Sequence, residues 1–249
     1  MQNLDLNIQE LPYEINEELK LLRTNLQFCG TDKRVLLFTS AFSGEGKSTI
    51  TQDICRSFTD LGKTVLLVDA DMRNSGIMRS LDPDQRPERG LSHYLSSQCE
   101  VEEIIYNSNV KNLSVIVAGK VPPNPAELLS RKRMRDLIEI GKKYCDYVVI
   151  DTPPIGLVVD AAVVAPYCDG SVIVIQAGEV KYRLAQEVIG KMQNTGCPML
   201  GVVINKAETT TSGYGKYGKY GKYGKYGKYG KKYGYGYGYG YGQKPETKK

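Results

Sequence analysis

Six short, near-continuous apolar runs, each separated from the next by other patterns, constrain this 249-residue chain more than any other feature. Val35–Thr39, Thr64–Asp69, Leu113–Ala118, Tyr147–Asp151, Ser171–Gln176 and Leu200–Asn205 read as strands without the polar alternation of a half-exposed sheet. Such strands are covered on both faces. Helical spacing fills the gaps at about 47–61, 126–140, 157–165 and 181–194, with Gly62, Gly141 and Gly196 at the expected stops. The alternation predicts an α/β fold: a doubly wound, mostly parallel sheet. Ligands of such sheets bind beyond the carboxyl ends of the strands.

The sequence places its chemistry at those ends. After the first strand comes Ala41-Phe42-Ser43-Gly44-Glu45-Gly46-Lys47-Ser48-Thr49, a P-loop with alanine where the first glycine usually stands. Small residues let successive backbone N–H groups wrap a phosphate, and the next helix adds its positive dipole end. Lys47 is expected to reach the β/γ oxygens of ATP, and Ser48 to offer its hydroxyl to Mg²⁺. The next strand ends in Asp69-Ala70-Asp71-Met72-Arg73, and a later one in Asp151-Thr152-Pro153-Pro154. Like charges gathered together are costly unless a cation joins them. The three acids beside one P-loop therefore predict a Mg²⁺ and catalytic cluster.

The last 37 residues cannot join that core. From Gly213 the chain repeats Tyr-Gly-Lys and then Tyr-Gly, carrying Tyr214, Tyr217, Tyr220, Tyr223, Tyr226, Tyr229, Tyr233, Tyr235, Tyr237, Tyr239 and Tyr241. These are eleven of the chain's 18 tyrosines, with almost nothing aliphatic between them to bury. Glycine keeps such a backbone mobile, so a disordered tail is expected. Ten lysines against Glu246 give the tail +9, while residues 1–212 hold 23 basic against 27 acidic side chains, or −4. The tail rather than the body should meet anionic partners.

The domains follow: an N-terminal helical segment at 1–30, a P-loop domain at 31–212 and the tail at 213–249. In the first, Ile15, Leu19, Leu22 and Leu26 mark an amphipathic helix over 14–28. The six scattered cysteines read as buried reduced thiols of a cytosolic protein. No signal peptide is expected from Met-Gln-Asn-Leu-Asp, and no run spans a bilayer, so a cytoplasmic protein is predicted, held at any membrane by another chain. His93 reads as a surface or packed side chain, and Arg131, Lys132, Arg133 and Arg135 as a solvated charged face.

The P-loop, the Asp-x-Asp-x-Arg strand end and the Asp-Thr-Pro-Pro segment together resemble the bacterial tyrosine kinases of capsule and exopolysaccharide biosynthesis. Glu17 to Phe28, Gly90-Leu91-Ser92, Pro122 to Leu129 and Gly201 to Lys206 extend the resemblance along the chain. It is most similar to the split, Gram-positive type. The resemblance implies ATP held by Ser43, Gly44, Glu45, Gly46, Lys47, Ser48 and Thr49, with Asn205 on adenine. It implies Mg²⁺ ordered by Ser48, Asp71 and Asp151, and Asp69 as the base with Lys47 catalytic. The expected activity is ATP-dependent autophosphorylation of the tail tyrosines between subunits of a ring. Glu17, Lys20 and Arg23 would form the inter-subunit contact, lysine standing where the family often carries arginine. Implied partners are a membrane-anchored polysaccharide co-polymerase that activates the kinase at the inner face of the plasma membrane, and a cognate tyrosine phosphatase. Two other classes compete. A partition or division-site ATPase shares the fold but leaves the tyrosine tail unexplained. A nucleic-acid binder is disfavoured by the acidic body and a tail without arginine.

Overall fold

The computed structural model describes residues 3–6, 8 and 10–207. The tail and all eleven of its tyrosines lie outside the described residues.

Two residues at the start, β1 (Asn3–Leu4), already belong to the sheet. The chain then runs through α1 (Tyr13–Phe28), β2 (Val35–Ser40), α2 (Lys47–Thr59), β3 (Val65–Asp69), α3 (Gly76–Ser80) and α4 (Leu91–Leu95). Next come β4 (Tyr106–Ser108), β5 (Leu113–Ile116), α5 (Pro125–Leu129), α6 (Lys132–Tyr144) and β6 (Tyr147–Asp151). The series closes with α7 (Asp160–Val164), β7 (Gly170–Gln176), α8 (Tyr182–Gln193) and β8 (Met199–Asn205). The strands form one sheet in the order β1-β4-β5-β3-β6-β2-β7-β8, parallel except where β4 runs against β5. The predicted class is the one observed.

The apolar runs have no polar alternation because each strand feeds two cores. On β2, Leu36 and Phe38 join Ile54, Phe58 and Ile77 on the face covered by α1, α2 and α3. Val35 and Leu37 point the other way, into the layer of Leu137, Ile138, Val164, Val188 and Met192 from α6, α7 and α8. The period of two along an extended chain dictates that split. With both faces covered, the carboxyl ends of the strands are where side chains meet a cleft.

The helices depart most from the sequence reading. The helix expected over 126–140 is two helices. Arg131 takes an extended conformation (ψ 154°) between them and donates to the Leu95 carbonyl at 3.2 Å. Gly141 is not a stop, since α6 continues to Tyr144. It is a contact point: a Cβ there would lie 2.7 Å from Val148 Cγ2 and 3.1 Å from Leu66 Cδ2. The helix expected at 157–165 shortens to α7 and a 3-10 turn at Ala165–Tyr167, where Pro166 lacks an amide donor. Gly62 (φ 74°) and Gly196 (φ 77°) do stand in the left-handed region just past α2 and α8. All six cysteines are free, four of them buried, with Cys145 half-buried and Cys29 exposed.

Candidate nucleotide site

β2 lies between β6 and β7, so the loop that leaves it opens beside the ends of both neighbours. Gly44 (φ 87°) and Gly46 (φ 82°) adopt the left-handed backbone that glycine accepts without strain. Gly46 has a second reason to be glycine, because a Cβ would lie 2.2 Å from the Asn205 amide nitrogen. Glu45, 4% exposed, braces the loop from within. Its carboxylate accepts from the Phe42 amide at 2.7 Å and the Gln176 amide at 3.2 Å. Two side chains at the end of β8 grip the same turn. Asn205 donates to the Glu45 carbonyl at 2.9 Å, and Lys206 Nζ to the Gly44 carbonyl at 2.8 Å and Gln176 Oε1 at 3.0 Å. Asn205, expected on adenine, is thus placed at the phosphate loop's backbone.

Asp151 forms the floor. Its fully buried carboxylate accepts from Lys47 Nζ at 2.6 Å, Ser48 Oγ at 2.6 Å and Thr51 Oγ1 at 3.2 Å. Strand register puts Asp69 directly opposite Asp151, and Asp71 follows two residues on. The structure therefore brings together all three acids and the lysine expected from sequence. Burial first, and Asp151 second, push the Asp69 carboxyl up to about 8, with Ser75 and Lys47 opposing. Burial likewise raises Asp71, which Lys47 draws back down. Asp69 takes a short hydrogen bond from Ser75 Oγ, and Asp71 accepts the Asn74 amide at 2.9 Å.

The donor set fits a magnesium nucleotide. Among the described residues no three Asp, Glu, His or Cys side chains close a protein-only metal cage. Mg²⁺ needs none, because it keeps its waters and takes ligands from phosphate and one or two protein oxygens. Ser48, Asp71 and Asp151 are suitable oxygens, and Ser48 and Asp71 line one cleft with the loop. Gly76 faces this hydroxyl closely, where a Cβ would meet Ser48 Oγ at 2.7 Å.

Several contributors were missed from sequence. Arg73 holds buried Asp160 through two hydrogen bonds, 2.8 and 3.0 Å, tying the end of β3 to α7. An acid opening a helix was the available signal. The charged face predicted for 131–135 is exposed at Arg131, Lys132 and Arg135, and also makes contacts with the fold. Arg133 donates to the Cys99 carbonyl and covers Tyr94 at 4.2 Å, and Arg135 covers Tyr167 at 4.9 Å. His93 is a packed side chain whose Nδ1 accepts the Gly90 amide at 3.2 Å. Of the proposed inter-subunit residues, Glu17 and Lys20 pair with each other at 2.7 Å on the exposed side of α1. Arg23 instead donates to Ser57 of α2, to its carbonyl at 2.6 Å and its hydroxyl at 3.1 Å.

Residues 33–195 match the model of the AAA domain family. Over 199 residues the chain is 43% identical to the tyrosine-protein kinase CpsD of Streptococcus agalactiae, covering 80% of this chain and 86% of that protein. The kinase domain of the Escherichia coli tyrosine kinase ETK superposes with a TM-score of 0.71 at 33% identity, covering 80% of each chain. The septum site-determining protein MinD of Pyrococcus horikoshii, complexed with Mg-ADP, gives 0.58 at 21% identity over 69% of each chain. That last likeness is one of fold alone.

Proposed function

Since the chain belongs to the bacterial tyrosine-protein kinases, we propose that it phosphorylates the tail tyrosines of a neighbouring copy and so regulates capsular or exopolysaccharide synthesis and export. The chain is a protein-tyrosine kinase, matching CpsD over 86% of that protein. The finer reading rests above all on one observation: a P-loop lysine and three strand-end acids converge within a chain that also carries eleven tyrosines at its end.

Bound Mg²⁺ would supply charge neutralisation at the phosphates, through Ser48, Asp71 and Asp151. The protein's own residues do the positioning. The amides of the 43–49 turn are presented by left-handed glycines and fixed by Glu45, so little reorganisation is needed to receive an anion. With a nucleotide bound, Lys47 would hold the phosphate oxygens in place of Asp151, and that carboxylate would be left to the cation. Asp69 is the candidate for accepting the phenolic proton in its ionised form, which Ser75 and Lys47 favour and burial opposes. An unperturbed phenol is only about one part in a thousand ionised at pH 7, so a neighbouring carboxylate helps. Asn205 and Lys206 keep the turn tied to the end of β8, whether or not Asn205 also reaches the adenine. A flexible glycine-rich chain of 37 residues has a root-mean-square span of about 30–36 Å. A membrane-anchored co-polymerase would recruit and activate the chain at the inner face of the plasma membrane, and a phosphatase would reset it.

Intact mass spectrometry after incubation with Mg-ATP and the activator's cytoplasmic segment tests this reading. Mass increments of phosphate that map to the tail and vanish in Lys47→Met are expected. ATP hydrolysis without phosphotyrosine under those conditions would sink it.

A further inference from the structure

A second groove runs between α1 with the segment before it and α2, away from the phosphate cleft's own lining. Its charged residues are Glu10, Asp53 and Asp60 against Arg56, so it is net acidic. Asp53 is 7% exposed and has no hydrogen bond or ion pair among the described residues. A carboxylate that deep is costly without a cationic or hydrogen-bonding partner. Other polar groups of α2 have theirs: Ser57 takes Arg23, and Thr51 bonds the Lys47 carbonyl. The groove thus keeps a net negative charge that Arg56 only partly offsets.

Spacing indicates what would match it. Asp53 and Asp60 are seven residues apart, the second continuing the helical backbone as the C-cap (φ −61°, ψ −24°). Seven residues are nearly two full turns, so both acids lie on one side of the helix about 10.5 Å apart along its axis. In the tail, Lys216, Lys219, Lys222, Lys225 and Lys228 recur every third residue. In a polyproline-II chain three residues make one turn and advance about 9.3 Å, so lysines at this spacing share one side. We propose that this groove docks the Tyr-Gly-Lys repeat of a second copy, with two successive tail lysines set against Asp53 and Asp60. The inference rests on the tail being the substrate and adds how it is held: by its lysines, on the helix that begins at the P-loop. A regular repeat lets the strand advance by one Tyr-Gly-Lys unit and dock again in the same way.

The test pairs two full-length copies in a mutant cycle. The substrate copy carries Lys47→Met, with its tail either native or with Lys216, Lys219, Lys222, Lys225 and Lys228 changed to Gln. The enzyme copy is native or Asp53→Asn/Asp60→Asn. With the native tail, the double substitution should raise the KM for the substrate copy about five- to tenfold at unchanged kcat. With the glutamine tail it should change nothing further. Phosphorylation of a lysine-free tyrosine peptide should be the same for both enzymes. An equal effect on both tails, or no effect on either, overturns the proposal. A parallel arm needs no activity: anisotropy of a labelled substrate copy should report weaker binding to the doubly substituted copy, lost in the same way with the glutamine tail. Loss of this coupling with the kinase still active rejects the docking site alone. Failure of phosphorylation with every substrate rejects the kinase reading instead.

Discussion

At the scale of single residues, buried carboxylates decide most of the behaviour. Burial pushes Asp53 up to about 6, with Arg56 opposing. The folded protein therefore holds a proton there that the unfolded chain has released, and stability falls as pH rises from about 4 to about 6. Above that window the cost is constant. Asp53→Asn should consequently melt with the native protein near pH 4 and above it at pH 7, by about 1–3 kcal/mol of stability. Thermal unfolding across pH checks this, and equal stabilisation at both ends would refute it. Glu45 is the opposite case, a carboxylate with two amide partners. Glu45→Ala leaves those amides without their acceptor, and ATP affinity should drop about tenfold while the melting temperature changes modestly. Isothermal titration with ATP would show it. The residues proposed to hold phosphate were legible in the sequence because Gly-Lys-Ser-Thr and acids at strand ends have few other uses. Glu45 was legible only as part of the loop, because its partners come from backbone amides, one of them 131 residues away.

At the scale of elements, the strands were readable because two-sided burial erases polar alternation. The helices on their faces were less so. Periodicity cannot tell one helix from two that share an apolar stripe, so the extended backbone at Arg131 was invisible. Gly141 misled for a related reason: glycine marks both helix ends and close approaches, and here α6 uses it to approach β6. Gly141→Ala gains helix propensity but forces a methyl against Val148 and Leu66. A net loss of about 1–2 kcal/mol is expected, seen as a lower denaturation midpoint with ATP binding intact. The Arg73–Asp160 link joins elements more directly. Arg73→Ala strands a fully buried carboxylate and should cost about 3–5 kcal/mol, whereas Arg73→Ala combined with Asp160→Asn should recover part of it. Equilibrium denaturation of the three variants distinguishes the two outcomes.

At the scale of the whole molecule, charge is divided between a mildly acidic body and a basic tail. Each phosphotyrosine brings about −1.5 to −2 charges, so about five or six would cancel the tail's +9. Copy–copy association is expected to weaken progressively over that range, and weaken with added salt, when measured against phosphate count by intact mass. Another whole-molecule feature lies at the opposite end of the chain. Asn3 and Leu4 pair with Asn107 and Ser108, and Leu4 and Leu6 are buried, before α1 crosses to pack on α2. The opening residues therefore act as a strap fastened to the sheet's outer edge. For anyone handling the protein, this makes the opening strand a sensitive attachment point. A bulky tag fused directly before Asn3 would load a paired strand and loosen the layer beneath it, whereas a flexible spacer ahead of the tag would leave the strap seated.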